Sequence, residues 1–105
     1  VIAIAEASIL RHRRTMARMG VLNRLAGEIA LNMTVDESAR GPETFSKLVE
    51  TGNTLLERGA GAIILGCAGM ARHRTKLESE IGIPVIDPTQ AAVAMAFGTL
   101  VTATG

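Results

Sequence analysis

The stretch from Gly59 to Met70, Gly-Ala-Gly-Ala-Ile-Ile-Leu-Gly-Cys-Ala-Gly-Met, constrains the fold more than any other part of the chain. Ala62 to Leu65 is an apolar run with the β-branched residues of a buried strand. It leads without a polar spacer into Gly66-Cys67-Ala68-Gly69, where the chain must turn sharply, and then into residues at helical spacing. A strand that hands over to a helix in this way belongs to an α/β fold, and ligands bind outside the carboxyl ends of such strands. Cys67, the chain's single cysteine, falls at that handover.

The flanking segments extend the same alternation. Val1–Ala5 is short and apolar, a first strand buried on both faces. Ser8 can cap the helix that follows. Ile9, His12, Met16 and Met19 form one stripe of that helix, Arg11, Arg14 and Arg18 form the opposite one, and Gly20 stops it. Glu28–Met33 is a second strand, weakened by Asn32, and Thr34–Gly41 has the composition of a loop. Pro42 fits the first position of the next helix, with Glu43 in its first turn and Lys47 one turn on as an i, i+4 partner. Phe45, Leu48, Val49, Gly52, Leu55 and Leu56 repeat at helical spacing and predict its buried face.

After Cys67, a stripe of Met70, His73, Leu77 and Ile81 predicts a third helix ending at Gly82, and Ile83–Ile86 a fourth strand. Asp87-Pro88-Thr89-Gln90 opens a last helix as N-cap, first residue and capping-box partner. Ala91 to Val101 is small and apolar nearly all round, so burial on more than one side is expected. The order β-α-β-α-β-α-β-α with short connections predicts one domain over residues 1–105. Its architecture is a three-layer α/β/α lobe: a four-stranded parallel sheet of flavodoxin-like order with helices on both faces.

Composition narrows the function. No apolar run approaches the ~20 residues of a membrane span, and no signal-peptide pattern is present. The net charge of +1 points neither to nor away from nucleic acid. Two Phe with no Trp or Tyr argue against a base-stacking surface, so no nucleic-acid or membrane partner is expected. The arginine stripe is read as the solvated side of its helix. One cysteine excludes an internal disulfide and fits a reducing cytoplasm. The chain opens on a strand with no lead-in and no initiator Met, from which a piece of a larger protein is expected.

Cys67 is the strongest candidate for chemistry. A helix N-terminus favours a thiolate through its oriented N–H groups and dipole. Gly66 and Gly69 would let backbone approach a ligand, and the amides of Ala68 and Gly69 could hold a carboxylate or imide oxygen. The alternative is a buried structural thiol behaving as a small hydrophobe. The turn lacks the Gly-Lys-Ser/Thr of a phosphate loop and the Gly-x-Gly-x-x-Gly of a dinucleotide site. One Cys and two distant His have no zinc-site spacing, and no Gly-x-Ser-x-Gly elbow supports a serine triad. His73 could tune Cys67 but lies on an apolar stripe, where a satisfied, partly buried histidine is the plainer reading. His12 is read the same way. Glu6 and Asp87 share the carboxyl rim with Cys67 as a polar strand end and a helix cap, and either could touch a ligand.

Ala62-Ile63-Ile64-Leu65-Gly66-Cys67-Ala68-Gly69-Met70, followed by Ile83-Pro84-Val85-Ile86-Asp87 and an alanine-rich helix, resembles the C-terminal half of the Asp/Glu/hydantoin racemase superfamily, closest to its hydantoin and allantoin branch. About fifteen residues around Cys67 and Asp87 carry the specific part. The resemblance implies two similar lobes that each supply one cysteine to a cleft, with no cofactor or metal. One thiolate removes a proton from the stereocentre and the opposite thiol returns one to the other face. It therefore implies a racemase of a hydantoin-like or amino-acid-like molecule in which Cys67 is one of two acid/base thiols. The second cysteine is not in this chain, and Ala3, Ile4 and Ala5 stand where the resemblance leads one to expect hydroxyl side chains. A missing N-terminal lobe or a homo-oligomer is the expected partner. A single-cysteine decarboxylase or isomerase of the same superfamily, or a silent binding or assembly module, are the alternatives.

Overall fold

The computed structural model describes residues 1–104. Chain order is β1 (Ile2–Ala3), α1 (Glu6–Arg18), a 3-10 turn at Leu22–Arg24, β2 (Ile29–Ala30), α2 (Val35–Arg40), α3 (Thr44–Glu57), β3 (Ile63–Ile64), a 3-10 helix at Ala68–His73, α4 (Arg74–Ile81), β4 (Val85–Ile86) and α5 (Pro88–Thr104). The α/β alternation expected from the sequence is present, with parallel strands throughout.

The single four-stranded sheet is not. Two two-stranded ladders form instead, β1 with β2 and β3 with β4. A single parallel bridge, Ile2 to Leu65, joins them, reinforced by the Gly66 amide donating to the Ile2 carbonyl at 2.8 Å. Reading across this bridge, the strands lie in the order β2, β1, β3, β4. β1 and β3 converge only there, and the convergence demands glycine. A β-carbon on Gly66 would sit 2.6 Å from the Ile2 carbonyl oxygen, closer than any side chain tolerates.

The core follows the apolar spacing only in part: Leu56 of the α3 stripe is exposed, and α1 buries none of its stripe, Met19 included. Leu48 and Leu55 of α3, Leu77 and Ile81 of α4, and Met70 close over Ile2, Ile63, Leu65 and Val85. α3 and α4 pack side by side, while α1 lies along β1 and β2. Gly52 lets α3 approach α4, since a β-carbon there would press on Ile81 at 3.3 Å. Helices do not cover both faces of the β3–β4 ladder. Ile63 and Val85 are buried, but their strand neighbours Ile64 and Ile86, paired in register, remain 42% and 37% exposed. Successive strand residues face opposite ways, so one face of this ladder is open.

α5 explains the open face, because it does not fold back over it. The sequence predicts burial on more than one side of this helix; instead Met95 and Phe97 are 73% and 68% exposed. It starts as predicted, with Asp87 accepting from the Thr89 and Gln90 amides at 3.4 and 3.3 Å. Elsewhere the boundaries move. Ser8 caps nothing: α1 begins at Glu6, and Asn32 supplies the cap by accepting from the Glu6 amide at 3.1 Å. Asn32 does so from a left-handed conformation, φ 56°, which Asn tolerates better than most residues. Pro42 precedes α3 rather than opening it, because Glu43 is its N-cap. From that position Glu43 makes no ion pair with Lys47 among the described residues.

The segment expected to be a loop is helical. Thr34 accepts from the Glu37 amide at 3.1 Å and so caps α2. Asp36 and Glu37 favour its first turn, and Asp36 pairs with Arg40 one turn on at 3.1 Å. This short helix packs directly on the Cys67 turn.

Candidate active site

Cys67 lies two residues beyond the bridge, at the carboxyl end of β3, and is the N-cap of the Ala68–His73 helix. Its backbone is extended, φ −147° and ψ 138°, and its carbonyl accepts from the Met70 amide at 3.0 Å. The side chain is half-buried and the thiol is free. Ala68 and Gly69 are the first two residues of the helix, so their amides have no acceptor within it. A half-buried sulfur beside two such amides can exchange a proton with a carbon acid while those amides face developing negative charge.

The two glycines of the turn have a different use from the one expected. Gly66 admits β1, as described above. Gly69 admits α2: a β-carbon there would overlap the Ser38 hydroxyl and reach within 2.9 Å of the Val35 carbonyl oxygen. Both close approaches are protein against protein. Together they clamp the turn between β1 on one side and α2 on the other, which fixes where Cys67 points.

Ser38 is the site residue that sequence reasoning missed. It is fully buried, and its hydroxyl lies 3.9 Å from the Cys67 sulfur while donating to the Val35 carbonyl at 2.8 Å. The signal was available in Thr34-x-x-Glu37, the spacing of a capping box, which makes the segment a helix with Ser38 on its inner side. Arg72 fastens the same junction from the other direction by donating to the Ala39 carbonyl.

His73 lies on the apolar stripe as expected, its ring tilted against Phe45 with centroids 6.0 Å apart. It is not satisfied, since its Nε2 is buried with no hydrogen-bond partner. Burial, then the Arg72 charge beside it, push its pKa below the ordinary 6.5; a backbone hydrogen bond at Ser38 opposes them, and Lys76 adds a smaller downward push. His73 makes no hydrogen bond to Cys67 among the described residues. His12 is satisfied: its Nδ1 meets Glu28 Oε2 at 2.5 Å, far from the rim, with the Glu28 side chain 1% exposed.

Glu6 and Asp87 stand on the carboxyl edge with Cys67 but are not brought into bonding contact with it. Glu6 is exposed at the start of α1, and both Asp87 oxygens are turned to the amides of α5. Among the described residues no group of three or more potential metal ligands gathers, and no helix is long and apolar enough to cross a membrane.

A sequence model of Asp/Glu/hydantoin racemases matches residues 1–96. The chain is 37% identical over 94 residues to a hydantoin racemase of Paenarthrobacter aurescens, a match covering 84% of this chain and 39% of that protein. It is 42% identical over 66 residues to a hydantoin racemase of Pseudomonas sp. (strain NS671), covering 61% and 26%. The crystal structure of an allantoin racemase from Pseudomonas fluorescens superposes with a TM-score of 0.86 at 25% identity, over 97% of this chain and 44% of that one. The chain thus spans less than half the length of the relatives it matches.

Proposed function

This chain belongs to the Asp/Glu/hydantoin racemase family, and from that premise we propose that it is one lobe, the C-terminal one, of a racemase acting on a hydantoin-like or amino-acid-like carbon acid. Cys67 is one of its two acid/base thiols. The observation that carries this reading is the placement of the chain's single cysteine at a clamped strand-to-helix turn, beside the amides of Ala68 and Gly69, which have no acceptor within their helix. Inverting a stereocentre requires a base on one face and an acid on the other. A single thiol serves one face, so the second group comes from another lobe or another chain. The exposed α5 and the open face carrying Ile64 and Ile86 support the seating of such a neighbour against this lobe. With it in place, we read the two bridged ladders as one four-stranded sheet in flavodoxin-like order.

In this mechanism the Cys67 thiolate takes the proton from the stereocentre, or the thiol returns one, depending on the direction of reaction. The enolate oxygen that forms between these steps lies against the Ala68 and Gly69 amides, which need no reorganisation to receive it. The test is exchange of the α-proton of a 5-substituted hydantoin into deuterated water, followed by NMR. Exchange by the chain that disappears in Cys67→Ser supports the reading. Exchange that persists in Cys67→Ser excludes Cys67 as the base. No exchange by either would favour the reading suggested by α5 alone, a silent assembly module.

A further inference from the structure

We propose that Ser38 is the positioning residue of Cys67, a hydroxyl that holds the sulfur in both of its protonation states; this rests on the acid/base role of Cys67 proposed above. Ser38 is fully buried, and it is the hydrogen-bond partner of the Cys67 sulfur among the described residues, at 3.9 Å. Its own proton is committed to the Val35 carbonyl at 2.8 Å, so the oxygen presents lone pairs to the sulfur and the thiol S–H donates to it. When Cys67 gives up that proton, the hydroxyl can rotate and donate to the thiolate instead. A hydroxyl can serve either state because it carries one donor and two acceptor positions.

The surroundings favour this role over incidental packing. Gly69 lacks the β-carbon that would otherwise occupy the space of the Ser38 hydroxyl, so the turn is shaped to admit it. Of the ionisable groups on the elements packed round the turn, Asp36 pairs with Arg40, Arg72 with the Ala39 carbonyl and Arg74 with Glu78, while neither Glu37 nor His73 hydrogen-bonds the sulfur among the described residues. That leaves Ser38 to set the direction of the sulfur. A bond to the thiolate is charge-assisted, so the hydroxyl keeps its hold on the sulfur when the proton leaves.

The experiment is the rate of Cys67 alkylation by iodoacetamide as a function of pH, in the wild-type chain and in Ser38→Ala. The variant should react at a rate changed roughly fivefold along the profile, the equivalent of one hydrogen bond. An unchanged profile in a Ser38→Ala chain with native circular dichroism overturns the proposal. Should Ser38→Ala not fold, Ser38→Cys provides a second reading. Mild oxidation should join the introduced thiol to Cys67 with the loss of two hydrogens by mass, and a folded variant that forms no such link also overturns it. Both measurements report on the sulfur and not on turnover, so failure of the racemase reading and failure of this one are told apart.

Discussion

His73 is half-buried against Phe45 with its Nε2 buried and unpartnered, and its protonation has a cost that the folded chain must bear. Its folded pKa lies below 6.5 because burial and the neighbouring Arg72 both disfavour the charged ring. The unfolded chain therefore binds the proton more readily than the folded one. Stability from this residue is complete above pH 6.5 and is lost as pH falls from there through the lowered folded value. In His73→Gln the same acid titration should be flatter. Urea midpoints measured for both chains from neutral to mildly acid pH check this, and parallel curves would contradict it. Of the residues at the site, Cys67 is plain from sequence because the local pattern alone, a lone thiol between two glycines at a strand end, marks the turn. Ser38 is hidden there because its role depends on contact across 29 positions, which no local pattern encodes. The glycines are visible but open to misassignment: the sequence can show that a close approach is needed, not what approaches.

Elements in this chain are held by single polar contacts as much as by apolar stripes. α1 illustrates it: Asn32 caps its start, and His12 pins its middle to Glu28 ahead of β2. Removing His12 would leave a carboxylate whose second oxygen is already buried without a partner. His12→Ala should lower unfolding free energy by about 1.5–3 kcal/mol, the usual range for hydrogen bonds to charged groups. Chemical denaturation measures it, and a loss of less than about 0.5 kcal/mol would show that Glu28 finds water instead. The long helices could be read from periodicity, because stripes such as Leu48, Gly52 and Leu55 repeat over several turns. α2 could not, since six residues give too short a stripe and Thr34, Asp36 and Ser38 resemble a loop in composition. Only its capping pattern distinguishes it.

As a whole molecule the chain leaves an unusual amount of apolar surface uncovered. α5 carries no charged residue from Pro88 to its end and projects from the core, consistent with extents of 45 × 27 × 26 Å. Exposed apolar surface of this kind marks an interaction site. The apolar composition of the helix is evident from sequence, but its burial within this chain does not follow, because periodicity reports that a face is to be covered and not by what. Replacing Met95 and Phe97 with Lys should change stability by less than about 0.5 kcal/mol, as for surface sites. It should also diminish any concentration-dependent association seen by sedimentation velocity. A loss of stability above about 2 kcal/mol would mean that these side chains are buried in the folded chain.

The claim on which the functional account stands is that Cys67 serves one face of a stereocentre. Each enantiomer of a 5-substituted hydantoin, incubated separately with the chain in deuterated buffer, tests it directly by mass spectrometry and chiral separation. The account predicts deuterium entering one enantiomer only, with configuration retained, and none above the solvent background with Cys67→Ser. Equal exchange of both enantiomers, or exchange that survives the substitution, would contradict it.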